Sequence, residues 1–550
     1  MAYFSLYSLS EATHSAELDL NQFSQFKHGS GAAAQRFGRA MSAYLAESAP
    51  VVFEPEVVLI ASCYKYAPVA AQALADETML SLNELRITKG LPAIKRGRIY
   101  RGEVFEIDYS ALSDADRKAL LANDALLVDV ELMKGKHVIV IDDVRITGGH
   151  ERKIDPVLAE IGAASVTYVY LAAFNEMPQS ATIERELNHA TVKTPANVFA
   201  LASQPDFRLN SRVVKFLLGA STAEELIQNL APDALLDFYK AALGNGYALM
   251  PRFHETLKAL RVHLYDVLNP DVAEATQVYL PNVTSLYDIT GEAAEAPFAS
   301  LYSQYKYGSV EAAKKLGIAL GAALWNQDEH LKAESVTVMA PATGNVPIGA
   351  TLLVDWASFY INDRRFALEV GPVTISKLTR SIIPAGDYGT LSAEERASIM
   401  TQATVSEITE HIAGEHVIII DDLWVTGVSA QTTIDQLTQA GCASYRYAVV
   451  AVINQQDAAN DPALEARLNH VAVSTVHDLV GLYAQTAYVV NQRVCKFLLS
   501  AKNTSQILEL LEPENDVLRQ KVVAACIEDN LHQSPEYTAS FAVLSGKGSA

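Results

Sequence analysis

The sequence predicts two duplicated open α/β domains, each a parallel sheet covered by helices and followed by extra C-terminal helices. Three observations carry that prediction. The chain repeats itself, its strands read as unbroken apolar runs, and those runs alternate with helical periodicity.

The repeat is the strongest of the three. His137–Gly149 reads HVIVIDDVRITGG and His416–Val428 reads HVIIIDDLWVTGV, identical at eight of thirteen positions and offset by 279. At the same offset Ser24–Ser30 (SQFKHGS) falls on Ser303–Ser309 (SQYKYGS), and Pro68 falls on Pro347. Downstream the offset is 281, where Asn210–Leu218 (NSRVVKFLL) faces Asn491–Leu499 (NQRVCKFLL), identical at seven of nine positions. A repeat this long is a duplicated domain rather than a solenoid unit. It divides the chain into domains 1–275 and 276–550.

Each half reads in the same order. An apolar-periodic helix (Ala32–Leu45; Val310–Trp325) precedes a β-run (Val57–Ala61; Ser335–Ala340), a loop and a second helix. A charged, β-rich stretch leads to a short helix with a capping box, Ser113-x-x-Asp116 or Ser392-x-x-Glu395. Next comes a strand too apolar to be half-exposed, His137–Ile141 or His416–Ile420. A glycine-containing turn, a helix and another apolar β-run (Ser165–Ala172; Tyr445–Ile453) complete the pattern before the helical tail.

Composition narrows the function. Half of the 550 residues are apolar and 19% are charged, which suits globular domains and excludes disordered or collagen-like structure. No apolar run reaches the length of a membrane span, and the N-terminus lacks the features of an export signal. Cys63, Cys442, Cys495 and Cys526 are scattered, which argues against a disulfide framework or a zinc site. A reducing cytoplasm is the expected location. The net charge of −21 gives no footprint for nucleic acid or an anionic membrane. Any anionic ligand must be held by a local positive site or a bound metal ion.

The motif that carries chemistry is an apolar strand ending in two aspartates, then a Thr-Gly turn opening a helix. In the first half it comprises Asp142, Asp143, Thr147, Gly148, Gly149 and His150. In the second it comprises Asp421, Asp422, Thr426, Gly427, Val428 and Ser429. The C-terminal edge of a parallel strand is where open α/β domains bind ligands. A glycine turn at a helix start aims backbone N–H groups outward, and the helix dipole favours an anion there. Two carboxylates beside such a cradle suit ribose hydroxyls, which donate hydrogen bonds, or a divalent cation bridging to the ligand.

This constellation resembles the phosphoribosyl pyrophosphate signature of type I phosphoribosyltransferases. The resemblance implies a parallel sheet flanked by helices, with a variable hood. It implies that Asp421 and Asp422 contact ribose hydroxyls, or Mg2+ directly or through water, while Thr426–Ser429 cradle the 5′-phosphate. Asp142, Asp143 and Thr147–His150 would act likewise, although His150 replaces the usual hydroxyl residue. The family's pyrophosphate loop is similar to Ser62-Cys63-Tyr64-Lys65-Tyr66-Ala67-Pro68 in the first half. Its counterpart is Pro341-Ala342-Thr343-Gly344-Asn345-Val346-Pro347, where Thr343-Gly344 replaces Tyr64-Lys65. Ser62, Tyr64, Lys65, Ala342, Thr343 and Gly344 are therefore expected at the pyrophosphate, with Lys65 as its cation. The acid that precedes the loop threonine in purine-salvage members is absent: Ile146 and Val425 stand there.

Other features admit two readings. Lys89, Lys95, Arg96, Arg98 and Arg101 form a basic run that is either a rim for the leaving group or a solvated edge strand. Arg364, Arg365, Lys377 and Arg380 lie in the matching region. His28–Ala34 matches GxGxxA only loosely and has no clear preceding strand. His189 and His470 each follow Leu-Asn and read as capped or core histidines, and Arg212 with Lys215 (Arg493 with Lys496) as a helix-surface pair.

The leading expectation is an enzyme using phosphoribosyl pyrophosphate and Mg2+ to phosphoribosylate a nitrogenous base or similar nucleophile, or the reverse, with Lys65, Asp142, Asp143, Asp421 and Asp422 in the chemistry. The alternative is a non-catalytic regulatory protein that binds phosphoribosyl pyrophosphate or a nucleotide. A diphosphokinase with two such domains ranks last, because those chains are far shorter and carry the full loop in one half. The resemblance further implies that the halves pair as an intramolecular pseudo-dimer, with a homo-oligomer possible, and the complete loop favours tighter binding by the second half.

Overall fold

In the computed structural model the described residues are 3–10, 17–101, 126–174, 176, 178, 183–268, 281–289, 298–333, 335–379, 412–425, 427–454, 456, 461, 463–485, 487–500 and 503–546. The capping boxes at Ser113 and Ser392, Arg380 and Thr426 lie outside them. Contacts divide the chain into two compact units, Met1–Tyr265 and Asp266–Ala550.

The first unit is built on strands β1 (Tyr3–Leu9), β2 (Val57–Ala61), β3 (Lys95–Arg96), β4 (Ile99–Arg101), β5 (Leu126–Val128), β6 (His137–Arg145) and β7 (Ser165–Phe174). Five of them form an all-parallel sheet in the order β1-β7-β6-β2-β3, and β4 pairs with β5 in a small antiparallel ribbon. The second unit contributes β8 (Val283–Ile289), β9 (Val336–Thr343), β10 (Thr374–Thr379), β11 (His416–Trp424) and β12 (Ser444–Ile453). Read from β8, its parallel sheet runs β8-β12-β11-β9-β10, the same topology.

Both faces of the sheet are buried, as the unbroken apolar strands require. Along β6, Ile139 and Ile141 join a cluster with Phe37, Met41, Leu74 and Met79 of the helices Gly31–Ser48 and Ala70–Thr88. Val138 and Val140 point the other way, onto Ile154 and Leu158 of the helix Gly149–Glu160. This period of two places alternate side chains in separate cores. The long helices run Gly31–Ser48 and Val310–Gln327, slightly beyond the expected spans. Ser30 and Ser309 cap them, each hydroxyl oxygen accepting from the third backbone N–H at 3.3 Å. Among the described residues no helix is long and apolar enough to cross a membrane.

The register fixes the site edge. Val57–Ala61 of β2 lies beside His137–Ile141 of β6, so the loop after β2 and the aspartates of β6 leave the sheet at one end. In the second unit Val336–Met339 of β9 faces His416–Ile419 of β11 in the same way. The C-terminal helices follow in both units, opening with the capped helices Ser211–Ala220 and Gln492–Leu499.

Candidate functional site

The first unit builds its site from β6 upward. Asp142 and Asp143 stand where β6 leaves the core, and Asp142 is 6% exposed. Each carboxylate accepts the following backbone N–H: Asp142 Oδ1 from Asp143 at 2.9 Å, and Asp143 Oδ1 from Val144 at 2.8 Å. Those contacts orient the second oxygen of each acid. Asp143 Oδ2 forms an ion pair with Lys27, a lysine only 4% exposed at the end of the helix Leu20–Lys27. Asp142 Oδ2 lies 2.7 Å from His150 Nδ1. Burial opposes charge on both partners, yet the mutual attraction outweighs it: the Asp142 carboxyl is held below its usual range and the His150 imidazole above.

The second unit repeats the frame with different neighbours. Asp421 Oδ1 accepts from Asp422 N–H and Asp422 Oδ1 from Leu423 N–H, both at 2.8 Å. Asp422 Oδ2 pairs with Lys306, the repeat partner of Lys27. Asp421 Oδ2 accepts from the Tyr447 hydroxyl at 2.9 Å. Burial, reinforced by the charge of Asp422, pushes the Asp421 carboxyl up to about 7.

Each turn ends in a left-handed glycine at the helix N-cap, Gly148 at φ +67° and Gly427 at φ +74°. A Cβ on Gly427 would lie 2.8 Å from the Trp424 ring, and one on Gly148 would lie 2.9 Å from Arg145 Nη2. The helices Gly149–Glu160 and Val428–Gln439 start immediately after them, and neither N-cap glycine supplies a side-chain cap. In the first unit His150 sits in this cradle but turns its ring to Asp142. Arg145, stacked 4.3 Å from the Tyr3 ring, braces the turn from behind through Glu151 (2.6 Å).

The loop after β2 reaches the same edge. Ser62 N–H donates to Ile141 O at 3.2 Å, directly beside Asp142. Tyr64 forms an isolated bridge to Tyr100, and Arg98 lies 4.0 Å from the ring centres of both tyrosines while donating to the Lys65 carbonyl. In the second unit Ala342 and Thr343 end β9, and Thr343 Oγ1 donates to Val346 O at 2.8 Å, closing the loop around Gly344.

The basic run divides between its two readings. Lys95 and Arg96 belong to edge strand β3, where Arg96 pairs with Asp76. Arg98 instead donates to the carbonyl of Lys65 in the loop after β2. His189 and His470 are half-buried and bond locally, with Nδ1 2.9 Å from Val192 O and 3.0 Å from Val473 O. Sequence reasoning passed over Lys27 and Lys306, although the repeated Ser-Gln-x-Lys segment kept a lysine at the same offset in both halves. Tyr447 carried no sequence signal, since its hydroxyl becomes relevant only when β12 lies beside β11.

No group of three or more His, Cys, Asp or Glu side chains able to hold a metal ion occurs among the described residues. Asp143 and Asp422 already face lysines, and Asp142 faces His150. Those partners occupy one oxygen of each of these three acids.

A family model described as PRTase ComF-like matches residues 1–260 and again 280–544. Among solved structures, the chain is similar to a hypoxanthine-guanine phosphoribosyltransferase from Bacillus anthracis, at 13% identity over 26% of this chain and 71% of that one, with a TM-score of 0.17. It is also similar to a phosphoribosylpyrophosphate synthetase from Mycobacterium smegmatis, at 9% identity over 72% of this chain and 81% of that one, with a TM-score of 0.15. Neither likeness is close enough to bear on the site. No curated protein matches the chain.

Asp421 generates a stability prediction. A carboxyl raised above its ordinary value binds more protons in the folded than in the unfolded chain. Its stabilising protonated form is therefore lost as pH rises from about 4 through about 7. Asp421→Asn removes that dependence, so its melting temperature at pH 8 should exceed the wild type by roughly 2–4 °C, an effect on the order of 1 kcal/mol. The gap should narrow at pH 5 and close below about pH 4. A variant no more stable than wild type at pH 8 would contradict the burial argument.

Gly427 generates a second. A β-branched residue there is strained by the positive φ and collides with Trp424. Gly427→Val should leave far-UV circular dichroism intact and lower affinity for ribose 5-phosphate in the second unit at least about tenfold. Unchanged affinity in titration calorimetry would remove this turn from the site.

Proposed function

The chain belongs to the PRTase ComF-like family as two tandem members, and on that premise we propose that it transfers a phosphoribosyl group between pyrophosphate and a nitrogenous base or similar nucleophile. The observation that carries this reading is the shared sheet edge of each unit. There an acid pair, a glycine-capped helix start and the loop after the neighbouring strand converge.

The parts divide the ligand by its chemistry. The helix N-termini after Gly148 and Gly427 suit the 5′-phosphate, to which they offer backbone donors and a favourable dipole. The aspartates suit the ribose hydroxyls, because each carboxylate is already oriented by a backbone N–H. The loops Ser62–Lys65 and Ala342–Gly344 would face the diphosphate. As the nucleophile forms its bond to C1′, the C1′–O bond breaks and its electron pair leaves with the diphosphate. Positive charge near that group stabilises the transition state more than the ground state, which is the role proposed for Lys65. Mg2+ would enter as part of the ligand, held by diphosphate oxygens and reducing their charge.

A binding role is the alternative for the first unit, and His150 favours it. Its ring occupies the Asp142 oxygen that a ribose hydroxyl would use. Cys63, Cys442, Cys495 and Cys526 form no disulfide, which suits the proposed cytoplasmic location.

The test is pyrophosphate release from phosphoribosyl pyrophosphate, Mg2+ and a panel of bases. If the first unit turns over, Lys65→Ala should lower kcat by about 100-fold with little change in KM. Asp421→Asn should leave that activity largely intact. Activity abolished by Asp421→Asn and indifferent to Lys65→Ala would place the chemistry in the second unit alone. Binding without release by any base would make the chain a sensor.

A further inference from the structure

The C-terminal helices begin with the repeated segments at Asn210 and Asn491, far in sequence from either loop. Both segments contact the site edge twice. Asn210 caps the helix Ser211–Ala220 through Val213 N–H (3.0 Å), and its Nδ2 donates to the carbonyl of Lys27 at 3.3 Å. Ser211 N–H donates to Pro68 O at 2.8 Å. In the second unit Asn491 Nδ2 donates to Lys306 O at 3.0 Å, and Gln492 N–H to Pro347 O at 2.9 Å. One short segment thus holds both the lysine that pairs with the acid and the end of the pyrophosphate loop.

A second contact comes from deeper in the tail. Asn245, 2% exposed, follows the helix Pro232–Gly244. Its Oδ1 accepts from both Tyr66 N–H at 3.1 Å and Ala67 N–H at 3.0 Å. Gly244 lets the helix end approach this closely, since a Cβ there would lie 2.3 Å from Cγ of Tyr66. In the second unit Asp529, 7% exposed, takes the part of Asn245. Its Oδ1 accepts Val346 N–H at 3.0 Å, and its Oδ2 accepts from Gln492 Nε2 at 3.0 Å. Val346 is the repeat counterpart of Ala67.

We propose that Asn245 and Asp529 are positioning residues, through which the C-terminal helices hold each pyrophosphate loop in shape for its ligand. The inference rests on the reading of these loops given above. Its physical content is a division of each loop. The N–H groups of Tyr66, Ala67 and Val346 are directed at the tail, so they do not serve an anion. The ligand-facing part is confined to the residues before them, Ser62–Lys65 and Ala342–Gly344. A diphosphate needs several donors held in one geometry, and an unbraced loop would have to be ordered at the moment of binding. The acceptors also differ. A neutral amide supports the loop that carries Lys65, whereas a carboxylate supports the loop that lacks it.

The test uses the full chain carrying Gly427→Val, which weakens ribose 5-phosphate in the second unit and leaves that unit's own loop as a constant background for pyrophosphate. Amide exchange at Tyr66 and Ala67 is followed by mass spectrometry, and pyrophosphate with Mg2+ and ribose 5-phosphate are titrated separately. Asn245→Ala should speed exchange at both amides and weaken pyrophosphate about tenfold, with ribose 5-phosphate changed less than about twofold. Asn245→Asp keeps the acceptor and should restore protection. Unchanged exchange in Asn245→Ala, or equal weakening of both ligands, would overturn the brace. Absence of pyrophosphate binding before any change at Asn245 would instead overturn the loop reading on which it rests.

Discussion

A buried lysine facing the second aspartate of the strand end is the interaction on which each site depends. Lys27 meets Asp143 and Lys306 meets Asp422, in both cases across 116 residues of chain. A lone ammonium or carboxylate at such a depth is strongly disfavoured, and removing one member of a buried pair destabilises by about 3–5 kcal/mol. The pair therefore holds only if the helix before the sheet and the end of the central strand meet correctly. It turns one helical residue in each repeat into a site residue. It also explains why Ser24 and Ser303 of the same helices are tied down elsewhere, each hydroxyl donating to the carbonyl of a buried asparagine, Asn188 or Asn469.

Around that shared pair the two units have diverged in charge. The first unit faces its two acids with a lysine and an imidazole, Lys27 and His150. The second answers two acids with one lysine and a phenol, and it surrounds them with Tyr302 and Tyr305 where the first unit has Phe23 and Phe26. Burial holds both phenols well above their usual range, so they remain neutral beside the acids. The backbone frame is the same while the electrostatic demand on a ligand differs.

The fold was legible because its cause is local in sequence. An apolar strand with both faces buried cannot hide its pattern, and its duplication made the pattern visible twice. The glycine turns were legible for a similar reason, since left-handed backbone at a helix start has few chemical solutions. The partners of the acids were not. Lys27 lies in a segment whose repetition was visible, yet nothing in that segment says which carboxylate it meets. Asn245 and Asp529 were further hidden, because different residue types accept the equivalent N–H groups of Ala67 and Val346. The basic run failed as a unit: Lys95 and Arg96 follow the edge strand while Arg98 is captured between two tyrosines, a split set by tertiary packing alone.

The charge difference gives the duplication a physical meaning within the proposed function. Where both acids are compensated, a sugar hydroxyl must displace His150 from Asp142 before it can bind, so the first site favours a ligand able to compete for that imidazole. The 5′-phosphate is such a ligand, because an anion at the helix start attracts the same cation that Asp142 holds. Where Asp421 is undercompensated, binding is favoured by a ligand that brings hydrogen-bond donors or positive charge with it, since either stabilises the ionised carboxylate that burial opposes. Within the proposed function one backbone design would present two selectivities, with His150 beside the acids in one repeat and Tyr447 in the other.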